Sequence, residues 1–419
     1  MGIPLGDTVE QAREFDVVVW GATGFTGRLV ARYLCTAYGV DKTVRWAIAG
    51  RNTEKLHQLK EEMVTLDAGA SQLKVVVGDS HDEASLAALA SRTRVLLTTV
   101  GPYMQYGAAL VQACVDAETD YVDLTGETPF IRQMIDAHHA AALSKGVRIV
   151  HCCGFDSIPS DMGVYYLQKQ AKAQWGVPAE SVRFYLEHSK GGVSGGTIAS
   201  MMLVLEAVKD PKLRRVVGNP YGLNPKDGVR GPDGSDQQIV RWNDEIGAWT
   251  APFVMAGINT RVVRRSNALM DYAYGTSFSY REVMALKRGL QSWMKAQSLT
   301  LGLGAVIGLS MIKWTRPLLF RTILPRPGEG PSPEAQEAGF FRIRLVGRTG
   351  DQRMDVRVQG KRDPGYGATA RMLTEAALSL ALERDTLPER FGVLTPASAM
   401  GDVLLTRLER AEVTFNVLD

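Results

Sequence analysis

The hydrophobic pattern changes character once along the chain. From residue 15 to about 153, short apolar runs alternate with segments of helical spacing. The runs cover residues 17–20, 44–50, 73–77, 95–100, 121–124 and 147–152. Between them, Leu56 with Leu59 and Leu86 with Leu89 mark one face of two helices, and 108–117 and 129–144 read as two more. Apolar strands that alternate with helices predict a parallel sheet covered on both faces. Right-handed crossovers then impose the doubly wound strand order.

After residue 154 the period changes. Val182, Phe184 and Leu186 alternate with Arg183, Tyr185 and Glu187, as in a half-buried strand. Residues 194–197 open a helix carrying Met201, Met202 and Leu205. Residues 218–236 are rich in Gly, Pro, Asn and Asp and predict a long loop that could close as a lid. Arg261, Arg264 and Arg265 follow within one short stretch. Phe341, Ile343 and Leu345, a turn over 347–352, then Met354, Val356 and Val358 predict an antiparallel hairpin. The fold class is therefore α/β: an N-terminal doubly wound parallel sheet plus a second α+β domain with a largely antiparallel sheet. The expected boundaries are 1–155, 156–365 and 366–419, with the last helices packing back on the first domain.

One stretch fits neither half. Residues 296–312 carry no charge over 17 positions, between Lys295 and Lys313. As a helix this is about 25 Å long, short of a ~30 Å hydrocarbon core. Trp293, Trp314 and Arg316 stand at its ends, where interfacial anchors belong. Three readings stay open: insertion into a membrane surface, a buried or dimer-forming helix, and a true span. Residues 325–339 read as a polar linker.

Composition narrows the function. Apolar residues make up 45% of 419, enough for a large core. A net charge of +3 is too mild to imply nucleic acid as a partner. Cys35, Cys114, Cys152 and Cys153 form no C-x-x-C pair and no zinc-ligand spacing, so no metal is expected. Buried free thiols and an N-terminus without a signal-peptide core predict a cytoplasmic protein, with peripheral membrane contact as the open alternative.

The chemistry concentrates just past the strand ends, where ligands of a doubly wound sheet bind. Gly21-Ala22-Thr23-Gly24-Phe25-Thr26-Gly27 joins the first strand to the first helix with glycines three apart. Gly21 permits the turn, Gly24 lets a pyrophosphate approach the backbone, and Gly27 lets helix and strand pack closely. This is a Rossmann-type cofactor loop, in the G-x-x-G-x-x-G variant that resembles extended and atypical short-chain reductases. Arg51, aided by Asn52, follows the second strand, where NAD enzymes carry an acid. A cation there suits the 2′-phosphate of NADP(H). Asp79, past the third strand, could accept from the adenine amino group or cap a helix. Gly101 and Pro102 follow the fourth strand beside the nicotinamide half, and Tyr103 is a candidate proton donor or a packing tyrosine. Asp156 and Ser157 follow the sixth strand and complete the candidate catalytic set.

These motifs resemble one family. The glycine loop, Ala49-Gly-Arg-Asn52, Val100-Gly-Pro-Tyr103, Tyr121-Val-Asp-Leu-Thr-Gly-Glu127 and Gly154-Phe-Asp-Ser-Ile-Pro-Ser-Asp161 are similar to saccharopine dehydrogenase-like oxidoreductases. So are Val262-Val-Arg-Arg265, Gly365-Tyr-Gly-Ala-Thr-Ala370 and Gly392-Val-Leu-Thr-Pro396. Within that family the chain most resembles the mycobacterial trans-acting enoyl reductases, which serve polyketide synthases. The resemblance implies an NADPH-dependent enzyme acting on a free or carrier-bound acyl lipid, with a polyketide synthase, a membrane surface and a second copy as expected partners. It implies no catalytic residue. Two other classes stay open: C–N oxidoreduction of the saccharopine type, and a non-catalytic nucleotide-binding protein at lipid surfaces.

Overall fold

The computed structural model describes residues 13–191, 195–312 and 331–418. Its first half is β1 (Phe15–Trp20), α1 (Phe25–Tyr38), β2 (Trp46–Gly50), α2 (Thr53–Leu66), β3 (Lys74–Val77), α3 (Glu83–Ser91), β4 (Thr93–Thr98), the single turn α4 (Tyr103–Tyr106), α5 (Ala108–Asp116), β5 (Asp120–Val122), α6 (Thr128–Ser144) and β6 (Arg148–Val150). The second half adds α7 (Ile158–Trp175), β7 (Ser181–Lys190), α8 (Gly195–Ala207), α9 (Pro211–Gly218), β8 (Arg241–Asn243), β9 (Ala248–Pro252), α10 (Ala256–Leu269), β10 (Ser279–Leu286), α11 (Leu290–Met311), β11 (Phe340–Thr349) and β12 (Gln352–Lys361). Helices Thr369–Leu382 and Pro396–Arg410 flank β13 (Gly392–Leu394), and β14 (Val413–Leu418) ends the described chain.

The first sheet runs β13-β6-β5-β4-β1-β2-β3, every pair parallel. All six residues of β1 are buried, and apart from Asp16, which pairs with Arg45 near the strand's start, its sequence is apolar rather than alternating. Six strands stand in the expected doubly wound order. The seventh, β13, comes from the far end of the chain and pairs with β6 through Gly392↔Arg148. Helix Thr369–Leu382 covers β1, β4 and β5 from the same end of the chain.

The second sheet runs β14-β12-β11-β7-β10-β9-β8, antiparallel except for β7 with β10. The predicted hairpin is β11–β12. Its turn is tighter than expected: β11 continues to Thr349 and β12 resumes at Gln352, because Gly350 takes φ +51°. Phe341, Ile343, Leu345, Met354, Val356 and Val358 are buried against α7, which fills the space between the sheets.

The segment 218–236 is not a free lid. Arg264 donates to the Pro220 carbonyl and to Asp233, Arg265 to the Leu223 carbonyl, and Arg132 to the Asn224 carbonyl. Buried guanidiniums thus replace the ladder bonds that an irregular segment lacks. The polar stretch 325–339 lies outside the described residues up to 330, and Pro333–Glu337 within it is a short helix. All four cysteines are free and buried.

Candidate active site

The phosphate cradle follows from the backbone of 21–27. Gly21 has φ +84°, and a Cβ there would lie 2.5 Å from Val100 Cγ2. A Cβ on Gly27 would lie 2.2 Å from the Gly21 carbonyl oxygen and 2.8 Å from the Ala22 Cα, so only glycine lets α1 start against β1. Gly24 is exposed and occupies the N-cap, and no acidic residue stands in the first turn. The N–H groups of Phe25, Thr26 and Gly27 have no intrahelical acceptor. Ala22 is buried beneath them, and Thr23 lies half-buried. These residues fit a pyrophosphate.

Arg51 is exposed and, among the described residues, makes no hydrogen bond or ion pair. It shares an open cleft with Val77, Gly78, Asp79 and Asp82 beyond β2 and β3. A 2′-phosphate placed there would meet an uncommitted guanidinium. Asn52, expected to assist, caps α2 through its Oδ1, which accepts from Lys55 N at 2.9 Å. Asp79 is not a helix cap. Its Oδ1 accepts from His81 N at 2.9 Å in a local turn, and Asp82 caps α3 instead.

The nicotinamide end is drier. Gly101 and Pro102 lead from β4 into α4, whose Tyr103 and Met104 N–H groups donate to Glu127 Oε1 at 2.9 Å and Oε2 at 2.8 Å. Ser200 on α8 donates to the same carboxylate at 2.6 Å. Burial pushes the Glu127 carboxyl up. Tyr103 is only 3% exposed, and its hydroxyl donates to the Thr98 carbonyl at 3.2 Å. Burial, and then the Asp123 charge, hold its pKa well above the usual phenol value. The hydroxyl of Tyr103, the expected proton donor, is thus committed inward in this structure.

Past β5 and β6, Asp123 accepts from Tyr121 Oη at 2.9 Å, Thr125 N at 3.0 Å and Cys152 N at 3.2 Å, and lies 2.7 Å from His151 Nδ1. Ser157 is buried. Its Oγ donates to Asn259 Oδ1 at 3.0 Å, and Asn259 Nδ2 donates to Glu282 Oε2 at 2.9 Å. Ser157, expected in the catalytic set with Asp156, thus has its hydroxyl hydrogen committed to a link between α7 and α10. Asp156 differs from the bonded carboxylates of Asp123 and Glu127. It is half-buried and has no hydrogen-bond partner among the described residues. Burial, and then the Asp123 charge, push its carboxyl up to about 7.

Residues 17–150 match the family described as the saccharopine dehydrogenase NADP binding domain. Over 417 residues the chain is 44% identical to a Mycobacterium tuberculosis protein named, provisionally, a trans-acting enoyl reductase. It is 40% identical over 412 residues to the trans-acting enoyl reductase of Mycobacterium ulcerans. Each match covers 96% of this chain and 97% of the relative. The chain belongs to the saccharopine dehydrogenase-like oxidoreductases. It is an NAD(P)-dependent enzyme, and its cofactor is NADP(H). The fold is shared with apo saccharopine dehydrogenase (L-Glu forming) of Saccharomyces cerevisiae, at TM-score 0.51 and 12% identity over 96% of this chain and 99% of that one.

Within this oxidoreductase the three clustered arginines are structural. Arg261 pairs with Asp236, Arg264 with Asp233, and Arg265 donates to the Leu223 and Val393 carbonyls. Glu127, Asp123 and His151 were missed as site residues by sequence reasoning. The available signal was their place just past β5 and β6, the same criterion that selected Asp156.

Proposed function

We propose that this oxidoreductase uses NADPH to reduce the carbon–carbon double bond of a lipid-like enoyl thioester, acting in trans on chains carried by a polyketide synthase. NADPH would supply a hydride to the β-carbon. The protein's own part is to hold the cofactor by the 21–27 loop and Arg51, to fix the 101–104 turn through Glu127, and to protonate the α-carbon. Asp156 is the group suited to that last step: an acid pushed up to about 7 keeps a transferable proton near neutral pH. This lone, uncommitted carboxyl is the observation that carries the reading. Near-full-length likeness to the enoyl reductases supplies the substrate class. The test is NADPH oxidation with a medium-chain enoyl thioester against a 2-oxo acid plus lysine. Saturated thioester as product supports the reading. Turnover only with the keto acid favours C–N chemistry, and binding without turnover on either favours a non-catalytic role.

We also assign α11 to a lipid surface. No helix among the described residues is long and apolar enough to cross a membrane. Yet Leu290 and Leu301 are each 71% exposed, and Ala296 is the one buried residue described in this helix. At 100° per residue, the exposed positions 299, 301, 302, 304, 305, 308 and 309 span roughly 220° of the helix surface. A second copy covers one stripe, whereas lipid covers the whole arc. Lys287, Arg288, Lys295 and Trp293 stand at its root. Trp314 and Arg316, the other expected anchors, lie outside the described residues. Flotation with anionic phospholipid vesicles, lost on Leu301→Ser with Leu309→Ser, supports the assignment. A dimer without flotation assigns the helix to a second copy instead.

A further inference from the structure

A second polar cavity, of about 200 Å³, lies between α6 and the loop that follows α9. Arg132, Lys226, Arg230 and Asn224 line it. Arg230 is exposed and has no ion pair among the described residues. Lys226 Nζ lies 3.2 Å from Asp136 with 76% of its side chain exposed. Arg132 reaches the same Asp136 through Nη2 at 2.7 Å, while its Nε is buried without a partner. Asn224 is 6% exposed, and its Oδ1 is buried without a partner. Three cations thus face one bonded carboxylate, and two buried polar atoms lack the hydrogen bonds such atoms normally make.

The cavity's position is the second observation. Arg132 lies five residues into α6, and Glu127 immediately precedes that helix. The backbone of Arg132 therefore lies about 7.5 Å along the α6 axis from that of Glu127, whose carboxylate anchors the crevice wall. An acyl thioester, the substrate class proposed above on which this inference rests, is borne on an arm that ends in a phosphate.

We propose that Arg132, Lys226, Arg230 and Asn224 form a binding site for the phosphate end of a phosphopantetheine arm whose thioester reaches the crevice past Glu127. The cations meet the phosphate, and Asn224 meets an amide or hydroxyl of the arm. The test is calorimetric titration of the full chain, with NADP+ saturating so that the dinucleotide site is filled. 4′-Phosphopantetheine is expected to bind, and pantetheine, which lacks the phosphate, to bind at least about ten-fold more weakly. Lys226→Ala with Arg230→Ala, both on exposed side chains, is expected to erase that difference while leaving NADP+ affinity unchanged. Equal binding of the two probes, or an undiminished difference in the variant, overturns the site. This readout needs no turnover, so a failed enoyl thioester assay would overturn the function and leave the site standing. Where turnover is seen, the same variant should raise KM. A rise for coenzyme A thioesters identifies the free carrier, a rise for a carrier-protein thioester identifies the protein-borne arm, and no rise for either overturns the proposal.

Discussion

The two ends of the cofactor crevice are built on opposite principles. At the adenosine end, Gly24 is exposed and Arg51 has no partner among the described residues. At the nicotinamide end, Tyr103, Asp123, Glu127, His151 and Ser157 are all buried and each makes at least one hydrogen bond, although His151 Nε2 is left without a partner among the described residues. A 2′-phosphate brings its own charge, so the first end can wait with an unpaired cation in water at little cost. Polar groups taken out of water cannot wait. Each must be satisfied before the substrate arrives, or its desolvation destabilises the fold. Asp156 is the exception at the dry end, and it meets its desolvation by holding a proton. The difference teaches that binding groups here are found by looking for free charge, and the reactive acid by looking for a carboxyl left without a partner where the neighbouring carboxylates are bonded.

The largest effect should come from that exception. Asp156→Asn is expected to lower turnover at least about a hundred-fold while NADPH affinity stays unchanged. In the parent enzyme, the acid must be protonated to act, so kcat should fall as pH rises through about 7. Turnover within a few-fold of the parent in the Asn variant, measured by NADPH oxidation, would break the contrast between the two ends.

Next comes the exposed end. Arg51→Ala should weaken NADPH by about ten- to a hundred-fold and leave NADH nearly unaffected. Equal losses for both dinucleotides in a fluorescence titration would mean that Arg51 does not read the 2′-phosphate.

A smaller effect tests burial itself. Asp161 and Glu282, like Asp156, are pushed up to about 7, by burial first. The folded chain then holds protons that the unfolded chain releases from about pH 4 upward. Stability should therefore fall as pH rises between about 4 and about 7, and level off above that. The carboxylates held low by arginine partners, such as Asp16 and Asp355, act with the opposite sign and only in stronger acid. Tm measured near pH 5.5 should exceed Tm near pH 8. The reverse order would place these acids in wetter surroundings than the structure gives them.

The smallest effect sharpens the comparison. Tyr103→Phe removes one buried hydrogen bond and should cost about 1 kcal/mol of stability, with turnover changed by no more than about three-fold. A loss matching that of Asp156→Asn would return the proton to Tyr103.

Much of this was legible in the residues alone, wherever the cause is local. The glycine triplet marks its loop because Gly21 and Gly27 have no room for a Cβ. The inner strands of the first sheet announce themselves because burial on both faces favours apolar runs, while the partly exposed edge strand β3 is read from its three valines. Arg51, expected from its place after the second strand to meet a 2′-phosphate, stands exposed in the structure. Tertiary structure decided the rest. The three residues of β13 are too few to show a period, and they join β6 only because the chain returns after more than two hundred positions. Arg264 and Arg265 stand in a cluster whose role the sequence does not give, and they are consumed by carbonyls of a loop that the pattern cannot place. Tyr103 and Asp156 stand at similar distances past their strands. Which one keeps a free proton depends on how deeply neighbouring helices bury each, and that is set by packing between distant segments rather than by any spacing along the chain.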